Sequence, residues 1–84
     1  GFIVKNIMEI QTELQNAYYV AFICGEKDGY IDCCYDDELE KNRYHLRYGT
    51  DEYDVTEENE VFTFPFINGK SLSEIYADVR IEPC

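Results

Sequence analysis

The residue types that bind soft metals or act as nucleophiles are scarce in this chain: four cysteines, Cys24, Cys33, Cys34 and Cys84, and one histidine, His45. No two cysteines stand as C-x-x-C, and in a strand the adjacent Cys33 and Cys34 leave opposite faces, so at most one joins a common site. The set Cys24, Cys33, Cys34 and His45 therefore does not read as structural zinc. A thiol–imidazole pair drawn from Cys33 or Cys34 with His45 needs two strands in register. The chain supplies neither a glycine-rich oxyanion loop nor the length for a walled substrate pocket. Asp28, Gly29, Tyr30, Ile31 and Asp32 resemble the centre of a calcium-binding loop. With Gly29 at the glycine position, however, the first ligand falls on Cys24 and the last on Tyr35, so these residues read as a hairpin turn. No catalytic residue, no metal and no cofactor is expected.

What the chain has in abundance is carboxylate. The stretch 49–60 carries Asp51, Glu52, Asp54, Glu57 and Glu58 around Tyr53, with Tyr44 and Tyr48 on one side and Phe62 on the other. A second acidic patch holds Asp36, Asp37, Glu38 and Glu40. The plain reading of such runs is a solvated, self-repelling loop. The functional reading is a contact surface for a basic protein: carboxylates steer association through their long-range field, and tyrosines supply stiff anchors with a hydroxyl handle. Asp51, Glu52, Tyr53, Asp54, Glu57, Glu58, Asp36, Asp37, Glu38 and Glu40 are the candidate partner-binding residues. Arg43, His45 and Arg47 share one face of one strand. Cross-strand pairing with Asp32, Glu60 or the acidic stretch accounts for them better than a phosphate site does.

These residues need elements to hold them. Ile3, Ile7, Ile10, Leu14 and Ala17 step by three and four along one stripe, predicting an amphipathic helix from Ile3. Tyr18 to Cys24 is an unbroken β-prone run, expected to be buried on both faces or central in a sheet. A turn over Gly25–Gly29 then leads into a strand from Tyr30 to Tyr35. Asp36–Lys41 reads as a helical turn or polar connection. Arg43–Tyr48 alternates strictly, with Tyr44, Leu46 and Tyr48 on one face. Gly49–Glu60 is expected to be a mobile loop, with room for a short strand, and Phe62, Phe64 and Phe66 alternate along an edge strand that Pro65 interrupts. Asn68-Gly69 turns, the capping box Ser71–Glu74 opens a short helix through Ile75, Tyr76 and Val79, and Arg80–Cys84 is an extended tail stopped by Pro83. The expected fold is α+β over residues 1–84: a single small domain with an N-terminal amphipathic helix packed on an antiparallel sheet of about four strands, and a short C-terminal helix.

Composition sets the outer bounds. At 84 residues and 9.9 kDa the chain holds one modest core, which excludes a multidomain enzyme. Its 45% hydrophobic and 15% aromatic content excludes a disordered tail. Eighteen acids against seven Lys and Arg give a net charge of −11, which argues against direct binding of nucleic acid or anionic membrane and leaves basic proteins open. The longest apolar run, Ala17–Cys24, is too short to span a membrane, and no signal-peptide pattern is present. Gly1 in place of Met reads as a tag scar or as the cut end of a longer precursor. The irregular cysteine spacing favours reduced thiols and a cytoplasmic location. The expected function is a small acidic protein-binding module of inhibitor or immunity type, neutralising a basic partner such as a nuclease or nucleic-acid-binding enzyme. The alternative is an accessory or regulatory domain whose acidity serves only solubility. It would act through a small ligand held between helix and sheet, or as a homodimer formed through the edge strand 61–66.

Overall fold

A computed structural model of the chain describes residues 2–82. Gly1, Pro83 and Cys84, and with them the expected tag scar and the end of the tail, lie outside the described residues. In chain order the elements are β1 (Phe2–Ile3), α1 (Ile7–Ala17), β2 (Tyr19–Cys24), β3 (Lys27–Asp36), β4 (Lys41–Tyr48), β5 (Asp51–Val55), α2 (Glu58–Thr63), α3 (Leu72–Ile75), a 3₁₀ turn (Tyr76–Asp78) and β6 (Val79–Glu82). The strands form one antiparallel sheet in the order β1-β6-β2-β3-β4-β5. The α+β architecture with an N-terminal helix, an antiparallel sheet and a short C-terminal helix is as expected, but with six strands where about four were predicted.

One apolar layer holds it together. Val20, Phe22 and Cys24 of β2, Ile31 of β3, Tyr44, Leu46 and Tyr48 of β4, Val55 of β5 and Val79 and Ile81 of β6 face Ile10 and Leu14 of α1, Val61 of α2 and Leu72 of α3. Burying a side chain of this size contributes about 1.5–3 kcal/mol, so the layer supplies the dominant favourable term. β2 is central, as predicted, but only its even-numbered residues are buried; Tyr19, Ala21 and Ile23 lie on the opposite face. Among the described residues that face carries no helix.

The local departures from the sequence reading have identifiable causes. α1 begins at Ile7 and not at Ile3. Asn6 caps it, its Oδ1 accepting the Met8 N–H at 2.9 Å, while Glu9 accepts the Asn6 N–H at 3.0 Å. Ile3 instead belongs to β1 and is 65% exposed. Ala17 is exposed too, so only the middle of the predicted stripe is buried. The β2–β3 hairpin turns on two residues, Gly25 and Glu26, with positive φ at Gly25 alone. Asp28 and Gly29 are strand and not turn. The same Gly-first turn recurs at Gly49 and Thr50 between β4 and β5.

Asp36–Lys41 is the polar connection of the two alternatives and not a helical turn. The Asp36 carboxylate accepts the N–H groups of Glu38 and Leu39 and closes a tight loop between β3 and β4. Gly49–Glu60, expected to be a mobile loop with room for a short strand, does hold a strand, β5, but the rest of it is a tight turn and the start of α2. The predicted edge strand 61–66 does not exist, so this segment offers no sheet edge for a homodimer. Glu57 and Glu60 form a capping box that starts α2. Helix continues to Thr63, where Pro65 forces Phe64 into extended backbone at φ −70°, ψ 129°. Finally, Arg80–Glu82 is no loose tail: β6 inserts between β1 and β2, burying Val79 and Ile81.

Candidate functional site

The uncovered face of the sheet follows from the alternation that buries Tyr44, Leu46 and Tyr48. Their neighbours Arg43, His45 and Arg47 emerge opposite the helices, beside Asp32 and Tyr30 of β3 and Glu52 and Asp54 of β5. Cross-strand register then builds two rows. One runs Tyr19–Asp32–His45–Asp54, the other Ala21–Tyr30–Arg47–Glu52. The Tyr19 and Tyr30 rings stack with centroids 5.7 Å apart, Tyr30 lies 5.7 Å from the His45 ring, and the Arg47 guanidinium sits 4.8 Å above Tyr30. Arg47 also donates to the Gly49 carbonyl at 2.7 Å and pairs with Asp28 at 3.1 Å.

His45 is held on both sides. Nδ1 lies 2.7 Å from Asp54 Oδ1 and Nε2 lies 2.9 Å from Glu52 Oε1. Two carboxylates on two ring nitrogens are both satisfied only by the imidazolium, which donates twice. The hydrogen bond to Glu52, then that to Asp54, raises the His45 pKa above the ordinary histidine value, against a smaller opposing effect of burial. The charge run that reads as self-repelling is thus drawn onto the sheet by the cations of β4.

Toward the β3–β4 turn this face opens into a shallow cleft of about 590 Å³, lined by Asp32, Asp36, Asp37, Glu38 and Asp54 together with Cys34, Tyr35, Arg43 and His45. Arg43 is engaged by Asp36, whose carboxyl it holds below the usual range. Among the described residues no ion pair engages Asp32, Asp37 or Glu38. The two predicted acidic patches therefore become one surface, since Asp54 of one lines the same cleft as Asp36, Asp37 and Glu38 of the other. Glu40 is exposed in the same turn.

The remaining candidates part company. Asp51, Glu52, Tyr53 and Asp54 are all exposed on β5. Glu52 and Asp54 belong to the open face, while Tyr53 packs on the helix side with its ring 5.0 Å from Phe64. Glu57 pairs with Lys41 at 2.6 Å. Glu58 accepts from Gln11 at 2.7 Å and Gln15 at 3.2 Å, tying α2 to α1 on the far side of the molecule. By sequence alone Asp32 is named only as a pairing acid for the cations of β4, and Tyr19 and Tyr30 are assigned no place on a functional surface. The signal was the period-two series Asp28, Tyr30, Asp32, Cys34, which marks one face of β3 once its strand is recognised.

The thiols sit apart from this surface or idle within it. Cys24, Cys33 and Cys34 are free. Burial pushes the Cys24 and Cys33 thiols up, away from the thiolate. Cys34 is exposed on the open face, its sulfur 4.0 Å from Asp32 Oδ2. Both His45 nitrogens are occupied by carboxylates, so the imidazole is not free to activate a thiol. Among the described residues no cluster of His, Cys, Asp and Glu is placed to hold a metal ion, and no helix is long and apolar enough to cross a membrane. Comparison of the chain with protein-family models, with curated proteins and with solved structures finds no match in any of the three.

Proposed function

We propose that this chain is a protein-binding module whose open sheet face receives a basic partner at its acidic end. It would act as an inhibitor or immunity-type protein that masks the cationic surface of a nuclease or nucleic-acid-binding enzyme. The observation that carries this reading is the convergence of Asp32, Asp37, Glu38 and Asp54 on one uncovered cleft whose single guanidinium, Arg43, is already engaged by Asp36. Asp32, Asp37 and Glu38, which no ion pair of the described residues engages, sit on a chain of net charge −11 and attract a basic surface over roughly a Debye length, about 8–10 Å at physiological salt. The neighbouring Tyr19, Tyr30 and Tyr35 supply amphipathic area for contact once the encounter is made. Cytoplasmic residence belongs to the same proposal.

The test uses Asp37→Lys with Glu38→Lys, two exposed turn residues outside every ion pair of the described residues. Wild type and double variant are immobilised and exposed to lysate of the native host at low and moderate salt. A basic protein retained by wild type, released by salt and lost from the variant is the expected result. Equal retention by the variant, or retention of no basic protein, overturns the reading.

A further inference from the structure

The sheet has two ends, and they differ. One end is β1, only two residues long. The other is β5, whose residues Asp51 to Asp54 are all exposed. Which backbone groups β5 leaves unpaired follows from the register. The Gly49 N–H donates to the Asp28 carbonyl, so in the β3–β4 ladder Arg43, His45 and Arg47 turn their backbone groups toward β3. Tyr44, Leu46 and Tyr48 then turn theirs toward β5, where they meet Val55, Tyr53 and Asp51. The N–H and C=O groups of Glu52 and Asp54 are left pointing outward along the free edge. A strand edge of this kind is a template for another strand.

We propose that β5 is where the basic partner docks, by adding an antiparallel strand with a basic–apolar–basic sequence opposite Glu52, Tyr53 and Asp54. This rests on the reading of the chain as a binder of basic proteins and specifies the mode. The two residues that exchange hydrogen bonds with Glu52 and Asp54 would lie beside those carboxylates on the open face. Each carboxylate commits one oxygen to His45 and keeps a second for a cation. The residue between them would fall beside Tyr53, which is 39% exposed and rests on Phe64, so an apolar side chain fits there. Charge also selects against a second copy of this chain as the occupant. Pairing β5 with itself in antiparallel register about Tyr53 sets Glu52 of each copy opposite Asp54 of the other, and like charges directly opposite are destabilising.

The probe is a short peptide alternating Arg and Val, in three forms: unmodified, N-methylated at the Arg amides, and N-methylated at the Val amides. Binding to the full chain is followed by amide chemical shifts. The proposal expects the unmodified peptide and the Val-methylated peptide to bind alike, with the largest shifts at Glu52 to Asp54. The Arg-methylated peptide should bind about tenfold or more weakly, because its edge-facing donors are gone. Equal binding by both methylated forms would overturn strand addition while leaving a basic partner in place. Failure of all three to bind, or β5 shifts that instead track self-association with rising protein concentration, also overturns it. The lysate experiment with the Asp37 and Glu38 variant judges the broader reading separately.

Discussion

Gly29 is the position at which β3 and β4 are most sensitive to a single methyl group. It lies in mid-strand, between Phe22 of β2 and Tyr48 of β4, whose rings stack nearly parallel at 6.4 Å with 4° between planes. A Cβ built there would stand 2.3 Å from the Arg47 carbonyl oxygen and 2.8 Å from Phe22 Cζ. The ring can tilt only against its neighbours, since Phe22 is 1% exposed and also packs edge-on to Phe66. The Arg47 carbonyl belongs to the β3–β4 ladder and cannot yield without loosening it. Overpacking of this kind costs 1–3 kcal/mol, and two clashes, one of them with backbone, place Gly29→Ala near the top, at about 3 kcal/mol. For a domain of this size that lowers Tm by about 12–24 °C. Gly25→Ala is the control: its Cβ would meet nothing nearer than Tyr48 Oη at 3.8 Å, so only its φ of +66° is penalised, at about 1 kcal/mol. Urea unfolding followed by far-UV circular dichroism measures both. A cost below about 1 kcal/mol for Gly29→Ala, or a cost no larger than that of Gly25→Ala, would refute the argument that the close approach of rings and carbonyl is what requires glycine there.

Four further outcomes are expected. His45 is stabilised in its charged form by Glu52 and Asp54, so its folded pKa exceeds its unfolded one; the contribution is complete below about pH 6.5 and is lost as pH rises through the folded value. The stability difference between wild type and His45→Gln should therefore shrink as pH rises above about 6.5, and a difference that grows in denaturant titrations over that rise contradicts the assignment. Leu14→Ala, at 2% exposure, should cost about 2–4 kcal/mol by the same unfolding measurement. Tyr48→Phe removes the buried donor to the Cys24 carbonyl and should cost about 1–2 kcal/mol, with unchanged far-UV spectrum. Asp37→Lys with Glu38→Lys should leave Tm within a few degrees of wild type, because neither carboxylate is in an ion pair of the described residues; a larger fall measured by calorimetry would show that the turn depends on them.

How far the fold could be read from residue order depends on what each segment had to say locally. α1 is legible because Ile7, Ile10 and Leu14 repeat with helical period, while its true start is set by the capping box of Asn6 and Glu9, and Ile3 falls on the stripe only by coincidence. β4 was legible because Arg43–Tyr48 alternates without exception. The segment from Gly49 to Phe66 misled for a physical reason. Its acids repel one another when considered alone, and only the tertiary pairing with His45 and Arg47 makes an ordered strand of them. The period-two phenylalanines then pointed to a strand. Within the helix–sheet layer, however, the capping acids Glu57 and Glu60 and the burial of Val61 decide for helix, and Pro65 ends it. β6 carries too few residues to declare itself; it is a strand because β1 and β2 stand on either side of it. The acidic residues were identifiable as candidates from composition, yet which of them share a surface was not. Glu58 leaves the group and Asp32 joins it only when register is known.

The arrangement of charge on the open face links solubility to recognition. A six-stranded sheet covered on one side exposes aromatic area, here Tyr19 and Tyr30, and an unpaired edge, here β5, and either invites self-association. This chain answers with ions whose sign varies across the face. Arg43, His45 and Arg47 run down the middle, each engaged by a carboxylate of a neighbouring strand or turn, so the centre is close to neutral. The excess negative charge is displaced outward, to the β3–β4 turn, where no ion pair of the described residues engages Asp37 or Glu38, and to β5, where Glu52 and Asp54 share the single imidazolium of His45. A second copy arriving at that edge meets its own sign, whereas a basic strand meets the opposite one. The same carboxylates that keep copies of the protein apart thus define the charge of the partner the edge would accept.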